Sequence, residues 1–597
     1  MKKLTLIICF IILFPTLGLA AGPYYVKNGG SNGNTGLSDA QAWADLTNID
    51  NASFDDGTDI YFKQGDTWTV TGAIDINHSG VDGNNRSIIG CYEADADFEC
   101  SGAKPIIQNS TEGGFTFWFH DTAYLTFDQL DIRNSHASWE DTNGTGLYSG
   151  SDGTGGNHNN GYMHITDCDF SNFGHYAMHL AQMGSYNVIT GNTFTNCGNA
   201  IYFVDESRTS TLSDYNYIAN NTCTDLVGYT SGAIKIDGHC VGLQRNSYSI
   251  IEDNISTRSW NAVFVNWTGD VTTDVKSLIW RRNTSFDAHQ GIILSGGNTT
   301  GDLYSMVYQN IMVNTGTGPV PYANRPVVFL DSMNQTRVFN NTFYDAQYAS
   351  NGARGNLTTS DYTYWVNNIF VMDGDDDNGI TDIFSLNEDT PTNVTWDYNL
   401  YWSLEGDPTA ESRWTNETSA THTWAQWIDA GNENNDTNSP SPADPLFAVP
   451  GSDDFTLLAG SPAIDTGGYL TYVTACSGTT ITVADNRWFH GDFGLADADG
   501  VAITGMEITF YDTTNDLQNR TITTDEITYA APGGFTINTE LAGCLTGGNA
   551  DTPSDTTQVA LLFYGTAPDI GANEYAGAPP AATAPFSGVS CQGCIFN

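Results

Sequence analysis

Basic residues are scarce in this chain. Of its 597 residues, 20 are Lys or Arg and 69 are Asp or Glu, so the formal net charge at pH 7 is −49. Such a charge repels nucleic acid and anionic membrane surfaces, which excludes both as partners. Beyond residue 19 the chain also lacks any apolar run long enough to cross a bilayer, so we expect no membrane span. It contains no phosphate-binding loop, zinc-ligand spacing or Gly-x-Ser-x-Gly elbow, which removes three common kinds of active site.

Residues 1–20 have the features of a signal peptide. Lys2 and Lys3 precede an apolar run, and Ala20 is a small residue suited to signal-peptidase cleavage. We therefore predict a secreted protein whose mature chain begins at Ala21. Ten cysteines remain after cleavage, and an even number in an oxidising compartment predicts disulfides. The pairs predicted by position are Cys91–Cys100 and Cys476–Cys544. The spacing of Cys591 and Cys594 fits a redox or metal pair, but alone in an exported chain we expect a local disulfide or a flexible tail.

A short apolar strand containing Asn returns along most of the chain. Successive copies lie 27–33 residues apart, and a period of this size is typical of stacked units that bury their apolar faces against one another. The pattern predicts an all-β solenoid in which the asparagines hydrogen-bond along the stack. The marker residues are Asn192, Asn221, Asn254, Asn283, Asn310, Asn341, Asn368 and Asn399.

Changes in composition divide the chain. We expect the repeat to stop in a polar stretch rich in Trp, to resume, and then to give way to alternating Thr-rich and Ile-rich strands. The predicted segments are a signal peptide (1–20), an N-terminal cap (21–54), coils (55–469, with 403–443 irregular), a small all-β insertion (470–562), a final coil strand (563–575) and a Pro/Ala-rich tail (576–597).

Stacked coils allow the second strand of each coil to be aligned in columns. Because strands alternate faces, two apolar columns are predicted to point inward: Met178, Ile201, Ile234, Val263 and Ile292, and Leu180, Phe203, Ile236, Val265 and Leu294. The column between them is predicted to point outward and contains His179, Tyr202, Lys235, Phe264 and Ile293. Asp237 and Asn266 follow in the next outward column, and the turn beyond adds Asp205, Glu206, His239 and Trp267.

A cluster of basic residues overlaps this predicted face. Six of the twenty basic residues lie within 48 positions, which makes this stretch nearly neutral in an acidic chain: Lys235, Arg245, Arg258, Lys276, Arg281 and Arg282. A local basic patch of this kind favours an anionic ligand.

Motifs at the two ends of the chain resemble a known family. Tyr24-Tyr25-Val26 with Trp43 opens the repeat, and the segments 461–465 (Ser-Pro-Ala-Ile-Asp) and 569–575 (Asp-Ile-Gly-Ala-Asn-Glu-Tyr) close it. Together with the Asn-x-Phe rungs, they resemble the secreted right-handed parallel β-helix proteins of the pectate-lyase-like superfamily. The resemblance implies an all-β, right-handed parallel β-helix with an N-terminal cap. It leaves the activity open, because the superfamily includes lyases, hydrolases, epimerases, tailspikes and adhesins.

A polysaccharide lyase acting on a uronate-containing glycan is the first functional hypothesis. β-Elimination needs a base, an acid for the leaving oxygen and a cation beside the uronate carboxylate. Lys235 is predicted as the base, and Tyr202 or His179 as the acid. Asp205, Glu206 and Asp237 are predicted to hold calcium, in keeping with the Lys or Arg and calcium used by lyases that the chain resembles. The predicted substrate contacts are Arg258, His239, Asn266, Trp267 and Phe264.

Two alternatives remain open at the level of sequence. A glycoside hydrolase would pair Asp205 or Glu206 with Asp237, and a non-catalytic binder or adhesin would hold sugar through aromatic residues of the same face. A structural calcium loop at Asp373, Asp375 and Asp377 competes with an ordinary acidic turn. In each case we expect a monomer that binds a polysaccharide. The basic patch predicts that this polysaccharide is anionic.

Overall fold

The computed structural model describes residues 22–51, 53–111, 113–135, 144–150, 160–181, 183–204, 213–231, 234–267, 276–295, 304–315, 327–331, 333–346, 351–352, 363–372, 384–386, 394–404, 414–415, 421–429, 436–512, 516–541 and 557–575. Parallel strands wind in successive coils, with three strands in a full coil. The chain is a right-handed parallel β-helix, so the predicted fold class is confirmed.

The first strand of each coil belongs to sheet 1. Every neighbouring pair in this sheet is parallel. In the described residues its thirteen strands are Tyr24–Val26, Ile60–Lys63, Ser87–Tyr92, Leu125–Asp128, His164–Thr166, Val188–Thr190, Tyr217–Ala219, Ile250–Glu252, Ile279–Arg281, Met306–Tyr308, Arg337–Phe339, Tyr364–Val366 and Thr395–Asp397.

The other two strands of each coil form ladder 2 and ladder 3, which two long strands join into one sheet. Ladder 2 contains Thr67–Val70, Ile106–Asn109, Asp131–Asn134, Asp169–Ser171, Thr193–Cys197, Thr222–Leu226, Ile255–Trp267, Thr284–Ser295, Ile311–Val313, Thr342–Ala346, Ile369–Met372 and Leu400–Ser403. Ladder 3 contains Ile74–Ile76, Phe115–Phe119, Thr145–Ser149, Tyr176–Ala181, Asn199–Val204, Val241–Gln244, the later parts of Ile255–Trp267 and Thr284–Ser295, and Val328–Asp331.

The marker asparagines lie at the turn between sheet 1 and ladder 2. From Asn221 onward, each marker Oδ1 accepts hydrogen bonds from the backbone N–H and the Nδ2 of the marker one coil earlier, at 2.9–3.1 Å. The predicted Asn ladder is therefore confirmed through all eight markers. At its end Asn399 donates to buried Asp436, whose pKa is raised by burial. Pairing of these buried amides removes the cost of leaving them unsatisfied.

The N-terminal segment closes the first coil. A 3₁₀ turn (Asp39–Gln41) and a short helix (Thr47–Asn51) follow the first strand of sheet 1. Tyr24 and Trp43 stack with ring centroids 4.8 Å apart. Gly36 has φ +78°, and a Cβ at this position would lie 2.7 Å from Trp43 Cε2. Glycine is therefore needed where the chain passes over this aromatic pair.

A six-stranded antiparallel sheet, here called the end sheet, covers part of sheet 1. Its strands are Thr471–Ser477, Thr480–Val483, Glu507–Asp512, Asp516–Thr521, Gly533–Thr536 and Gln558–Leu561. Apolar side chains of both sheets form one buried cluster, in which Ile279, Met306 and Phe339 of sheet 1 contact the layer that contains Trp488 and Phe493. The predicted boundaries of the insertion, at 470 and 562, remain predictions.

The structure differs from the predicted end of the coils in two places. Phe447–Val449 and Asp454–Leu457, around a 3₁₀ turn at Pro450–Ser452, form an antiparallel hairpin instead of a coil. The predicted final strand, 563–575, contains no strand. Asp569 there accepts hydrogen bonds from the backbone of Asp465 and Tyr575, which holds the segment as a loop against the coils. A buried carboxylate that satisfies nearby N–H groups competes with ladder pairing.

The remaining elements are short. A one-turn helix (Trp424–Trp427) begins at a capping box on Thr423. The short strands outside the main sheets are Tyr229–Ser231, Ile234–Ile236, Asn351–Gly352, Phe384–Leu386, Trp414–Thr415 and Thr421–His422. Within the described ranges, no helix is long and apolar enough to cross a membrane.

Two disulfides of the described residues each lie within one coil. The predicted Cys91–Cys100 pair is confirmed, and a second disulfide that the sequence did not indicate joins Cys223 to Cys240. Cys476 is also disulfide-bonded, but its predicted partner Cys544 lies outside the described residues, as do Cys591 and Cys594. Cys168 and Cys197 are buried free thiols.

Candidate functional site

The outward column of ladder 3 is rich in aromatic and imidazole side chains. Register pairs align Asp75 with Trp118, Trp118 with Tyr148, Tyr148 with His179, and His179 with Tyr202. Each of these side chains is half-buried between two buried residues of its own strand, as the alternation of faces requires. The predicted neighbourhood of His179 and Tyr202 is therefore confirmed. We call this column, with the rings that contact it, the aromatic face.

Ring contacts connect the members of the aromatic face. Tyr176 stacks against His179 and Tyr202, with centroid distances of 4.5 and 5.2 Å. Phe115 stacks on Tyr148 at 4.0 Å, and Tyr148 lies 5.2 Å from His179. Aromatic and amphipathic side chains of this kind provide apolar surface together with polar tips. Such a surface suits a ligand that has both apolar C–H faces and hydroxyl groups.

The predicted place of Lys235 in this column is wrong. Ile234–Ile236 pairs antiparallel with Tyr229–Ser231, so Lys235 lies opposite Thr230 in a hairpin. Val241–Gln244 is the ladder strand next to Tyr202, and Gly242 is the residue opposite it. The inward positions predicted for Ile234 and Ile236 are likewise taken by the later strand. The segments 234–236 and 241–244 both alternate apolar residues with others. The sequence alone does not show which of them pairs with the strand of the neighbouring coil. The side chain of Lys235 lies outside the described residues.

The next strand is shifted by one residue relative to the prediction. Phe264 pairs with Val241 and Ile292 and is fully buried in the main core, whereas Val265 takes the outward register. Asn266 is fully buried, and neither of its side-chain polar atoms has a hydrogen-bond partner. The predicted substrate contacts through Phe264 and Asn266 are therefore wrong. The cause is a register shift between Ser259 and Ala262, because a one-residue slip exchanges the two faces of a strand.

His239 lies beside Tyr202 at one end of the aromatic face. The two rings are nearly parallel, with centroids 6.0 Å apart. The Nδ1 of His239 is 2.6 Å from the carbonyl oxygen of Ala262, so Nδ1–H is assigned as the donor in this bond. That assignment leaves Nε2, 3.5 Å from Asp237 Oδ1, as the nitrogen that can exchange a proton.

Three features hold His239 in this position. Asn199 Oδ1 accepts hydrogen bonds from the backbone N–H groups of Gly238 and His239, both at 2.9 Å. The next residue, Cys240, is joined by its disulfide to ladder 2. Gly242 leaves room for the ring of Tyr202, because a Cβ at Gly242 would lie 2.3 Å from Tyr202 Cδ2. The imidazole and the phenol are therefore placed by the backbone around them.

His179 is neutral near pH 7. Burial lowers the pKa of this imidazole to about 3, and the nearby His175 adds to the effect. A neutral imidazole offers one N–H donor and one acceptor nitrogen. His179 can therefore bind a polar group without carrying charge.

The remaining predicted site residues lie elsewhere or outside the described ranges. Arg258 has φ +60° at the corner after ladder 2 and donates to Asp225. Asp205, Glu206, Asp373, Asp375, Asp377 and the side chain of Trp267 are outside the described residues. Within the described part, no three His, Cys, Asp or Glu side chains gather where they could hold a metal ion. Asp237 therefore belongs to no such group among the described residues, and calcium at this site remains a prediction.

The predicted basic patch is not one surface. Arg281 and Arg282 belong to the sheet 1 side and pair with Glu252 and Asp253. Arg258, at the ladder 2 corner, is already paired with Asp225. Basic residues that are close in sequence lie on different sides of the coils. The number of charges in a stretch of sequence therefore did not predict a candidate ligand surface.

Sequence reasoning missed Asp75, Trp118 and Tyr148. The signal was present, because Phe117-Trp118-Phe119 shows the same buried, half-buried, buried alternation as the His179 strand. Extending the outward column three coils toward the N-terminus would have found these residues.

No protein-family model and no curated protein matches the sequence. Among solved structures, the chain is similar to an alginate lyase from Paenibacillus sp. str. FPU-7, with 13% identity, 50% of this chain and 92% of that chain covered, and a TM-score of 0.36. It is similar to the PL6 family alginate lyase AlyGC, with 11% identity, coverage of 74% and 60%, and a TM-score of 0.39. It is also similar to XylC, solved with xylose, with 10% identity, coverage of 86% and 99%, and a TM-score of 0.41. Similarities of this size assign no activity or substrate to this chain.

Proposed function

We propose that the protein is a carbohydrate-active enzyme, and more narrowly a polysaccharide lyase that cleaves a uronate-containing glycan on the aromatic face. The observation that supports this most is the pair formed by Tyr202 and His239. Their rings lie 6.0 Å apart, and His239 is held through Nδ1 by a backbone carbonyl. The spacing allows both groups to reach one sugar unit. A positioned phenol and a positioned imidazole are suitable for proton transfer.

β-Elimination assigns each group a role. His239 Nε2 removes the proton from the carbon next to the uronate carboxyl group, and the electron pair forms a carbon–carbon double bond. The bond from the adjacent carbon to the glycosidic oxygen breaks, and Tyr202 Oη donates its proton to that oxygen. The neutral N–H of His179 can hydrogen-bond the substrate carboxylate while charge builds on it. His239 thus takes the role that sequence alone assigned to Lys235.

At the Tyr202 end of the face, the described carboxylates do not form a hydrolase pair. Asp75 lies four strand spacings from Tyr202, which is about 19 Å. Asp237 lies near His239, at the Tyr202 end of the column. The acid and base of a glycoside hydrolase lie about 5–9.5 Å apart. A hydrolase would therefore depend on Asp205 or Glu206 with Asp237, as in the alternative considered from sequence.

The test is a panel of polyuronates, assayed for ultraviolet absorbance of unsaturated products and for new reducing ends. We expect absorbance to rise, and Tyr202→Phe and His239→Ala each to lower kcat by a factor of about 10²–10⁴. Tyr186→Phe is the matched control, because Tyr186 belongs to a separate stack of tyrosines with Tyr162 and Tyr215. Reducing ends without absorbance would indicate a hydrolase, and binding without either product would indicate a non-catalytic binder.

A further inference from the structure

The end of the aromatic face farthest from His239 holds a second polar and aromatic cluster. Trp118 is half-buried, and its ring centroid lies 4.9 Å from that of His120. Asp75 pairs with Trp118 across the strands, and its Oδ1 is 3.6 Å from His120 Nε2. The cluster therefore places an indole, an imidazole and a carboxylate on adjacent coils, with the carboxylate in line with His179 and Tyr202.

The three side chains have the chemistry of a sugar-binding subsite. An indole offers a large apolar face with one polar edge, and that edge is already occupied, since Trp118 Nε1 donates to Gly150 O at 3.2 Å. A carboxylate accepts hydrogen bonds from hydroxyl groups, and an imidazole can accept or donate one. Sites for small ligands combine such apolar surface with a few placed polar groups.

The charge around the cluster selects against an anionic sugar. Asp121 lies beside His120, with an Oδ2–Nδ1 distance of 3.9 Å, and Asp50 accepts a hydrogen bond from the backbone of Asp75. Two carboxylates thus flank the imidazole, and a third lies beside the backbone of Asp75, so a uronate placed here would meet charges of its own sign. A sugar unit without a carboxyl group would not.

Distance links this cluster to the candidate catalytic pair. Trp118 lies three strand spacings from Tyr202, about 14 Å, and the intervening outward positions are Tyr148 and His179. One glycan chain lying along the coils can therefore contact both ends of the face.

We propose that Asp75, Trp118 and His120 form a distal subsite that binds an uncharged sugar unit. Taken with the proposed lyase function, on which this second step rests, the substrate is a heteropolymer that carries uncharged sugars near the uronate that is cleaved. The sequence predicted an anionic polymer. The proposed subsite narrows this to a polymer in which only some of the sugar units carry a carboxyl group.

The test measures binding of neutral xylohexaose and of a galacturonate hexamer to the full chain by titration calorimetry. We expect Trp118→Ala to weaken binding of xylohexaose about tenfold and binding of the galacturonate hexamer less, and Trp118→Phe to retain most of the xylohexaose binding because a ring remains. Asp75→Asn should improve binding of the galacturonate hexamer relative to xylohexaose, because one repulsive charge is removed. Circular dichroism of each variant checks that it is folded.

Binding and cleavage separate the two proposals. If no polyuronate gives unsaturated products but Trp118→Ala still weakens xylohexaose binding, the lyase proposal is wrong and the subsite is supported. If Trp118→Ala binds xylohexaose as the wild-type protein does, the subsite is wrong, whatever the polyuronate assay shows. If Trp118→Ala weakened binding of the galacturonate hexamer as much as binding of xylohexaose, the preference of the subsite for an uncharged sugar would be overturned.

Discussion

The outer face of sheet 1 and the aromatic face of ladder 3 lie on different sides of the same β-helix and overlap at the coil that contains Val188 and Tyr202, but one is covered and the other is not. From Val188 to Val366 the outward apolar side chains of sheet 1 are buried under the end sheet. The outward residues of ladder 3 from Asp75 to Tyr202 are half-buried. A single coil therefore supplies an interface on one side and a candidate ligand surface on another.

The polar groups on the two faces show what the difference means. Under the end sheet, Arg281 donates to Glu252, to Tyr308 Oη at 3.1 Å and to Thr504 O at 2.9 Å. Tyr308 in turn lies 2.7 Å from His490 Nε2. Groups hidden from water must satisfy one another, because an unpaired buried charge is costly. On the aromatic face, the rings of Trp118, Tyr148 and Tyr202 are only half-buried, so each keeps surface that a ligand can contact.

Removal of Arg281 should lower the stability of the protein more than the other substitutions. The change should be confined to the face of sheet 1 that the end sheet covers. Arg281→Met leaves Glu252 buried with only part of its charge compensated, so we expect the free energy of unfolding to fall by about 3–5 kcal/mol. Chemical denaturation measures this loss. Activity of the remaining folded protein should be unchanged, because Arg281 lies on sheet 1.

Acid should mimic this loss in the wild-type protein. Burial alone would raise the pKa of Glu252, but Arg281 and Arg282 lower it from 4.5 to about 2. The stabilisation is therefore complete above about pH 4.5 and disappears as the pH falls toward 2.

Arg258→Met is the matched control for Arg281→Met, because the ion pair of Arg258 with Asp225 is exposed and contributes about 0–1 kcal/mol. An equal loss in the two variants would contradict the contrast between covered and open faces.

Removal of the Cys223–Cys240 disulfide should affect the open face and the stability together. The disulfide closes a loop with a sequence separation of 17, so Cys223→Ser with Cys240→Ser should cost about 3 kcal/mol. Because Cys240 follows His239 directly, we also expect kcat to fall. The matched control is Cys91→Ser with Cys100→Ser, which removes a disulfide that begins in sheet 1. That variant should lose stability and keep its kcat; a fall in kcat for both pairs would show that the effect is global.

The interior of the coils was predictable from sequence, and their outer faces were predictable only in part. Asn markers such as Asn254 and Asn283 repeat because each must bond the next, so their spacing reveals the stack. His179 and Tyr202 followed from that spacing. Lys235 and Asn266 did not, because an inserted hairpin and a register shift move residues between faces without disturbing the apolar alternation. The Cys223–Cys240 pair joins residues that only the folded coil brings together.

Substitution of Gly242 should have the smallest effect on stability. It should still lower activity, whereas a similar substitution in sheet 1 should not. Gly242→Ala places a methyl group 2.3 Å from Tyr202 Cδ2 and 2.5 Å from Cε2, and the half-buried ring can move outward to relieve the overlap. We expect a cost of about 1 kcal/mol in stability. The displaced phenol should lower kcat by as much as about 10²-fold with little change in KM, because binding along the rest of the aromatic face is kept.

Gly90→Ala is the control in sheet 1. A Cβ at Gly90 would lie 3.3 Å from its nearest neighbours, which include Asp128 O, so we expect both kcat and KM to be retained. If Gly242→Ala kept its kcat while Tyr202→Phe lost it, the phenol would act from a position other than the one described, and the close approach of Gly242 would have no part in placing it.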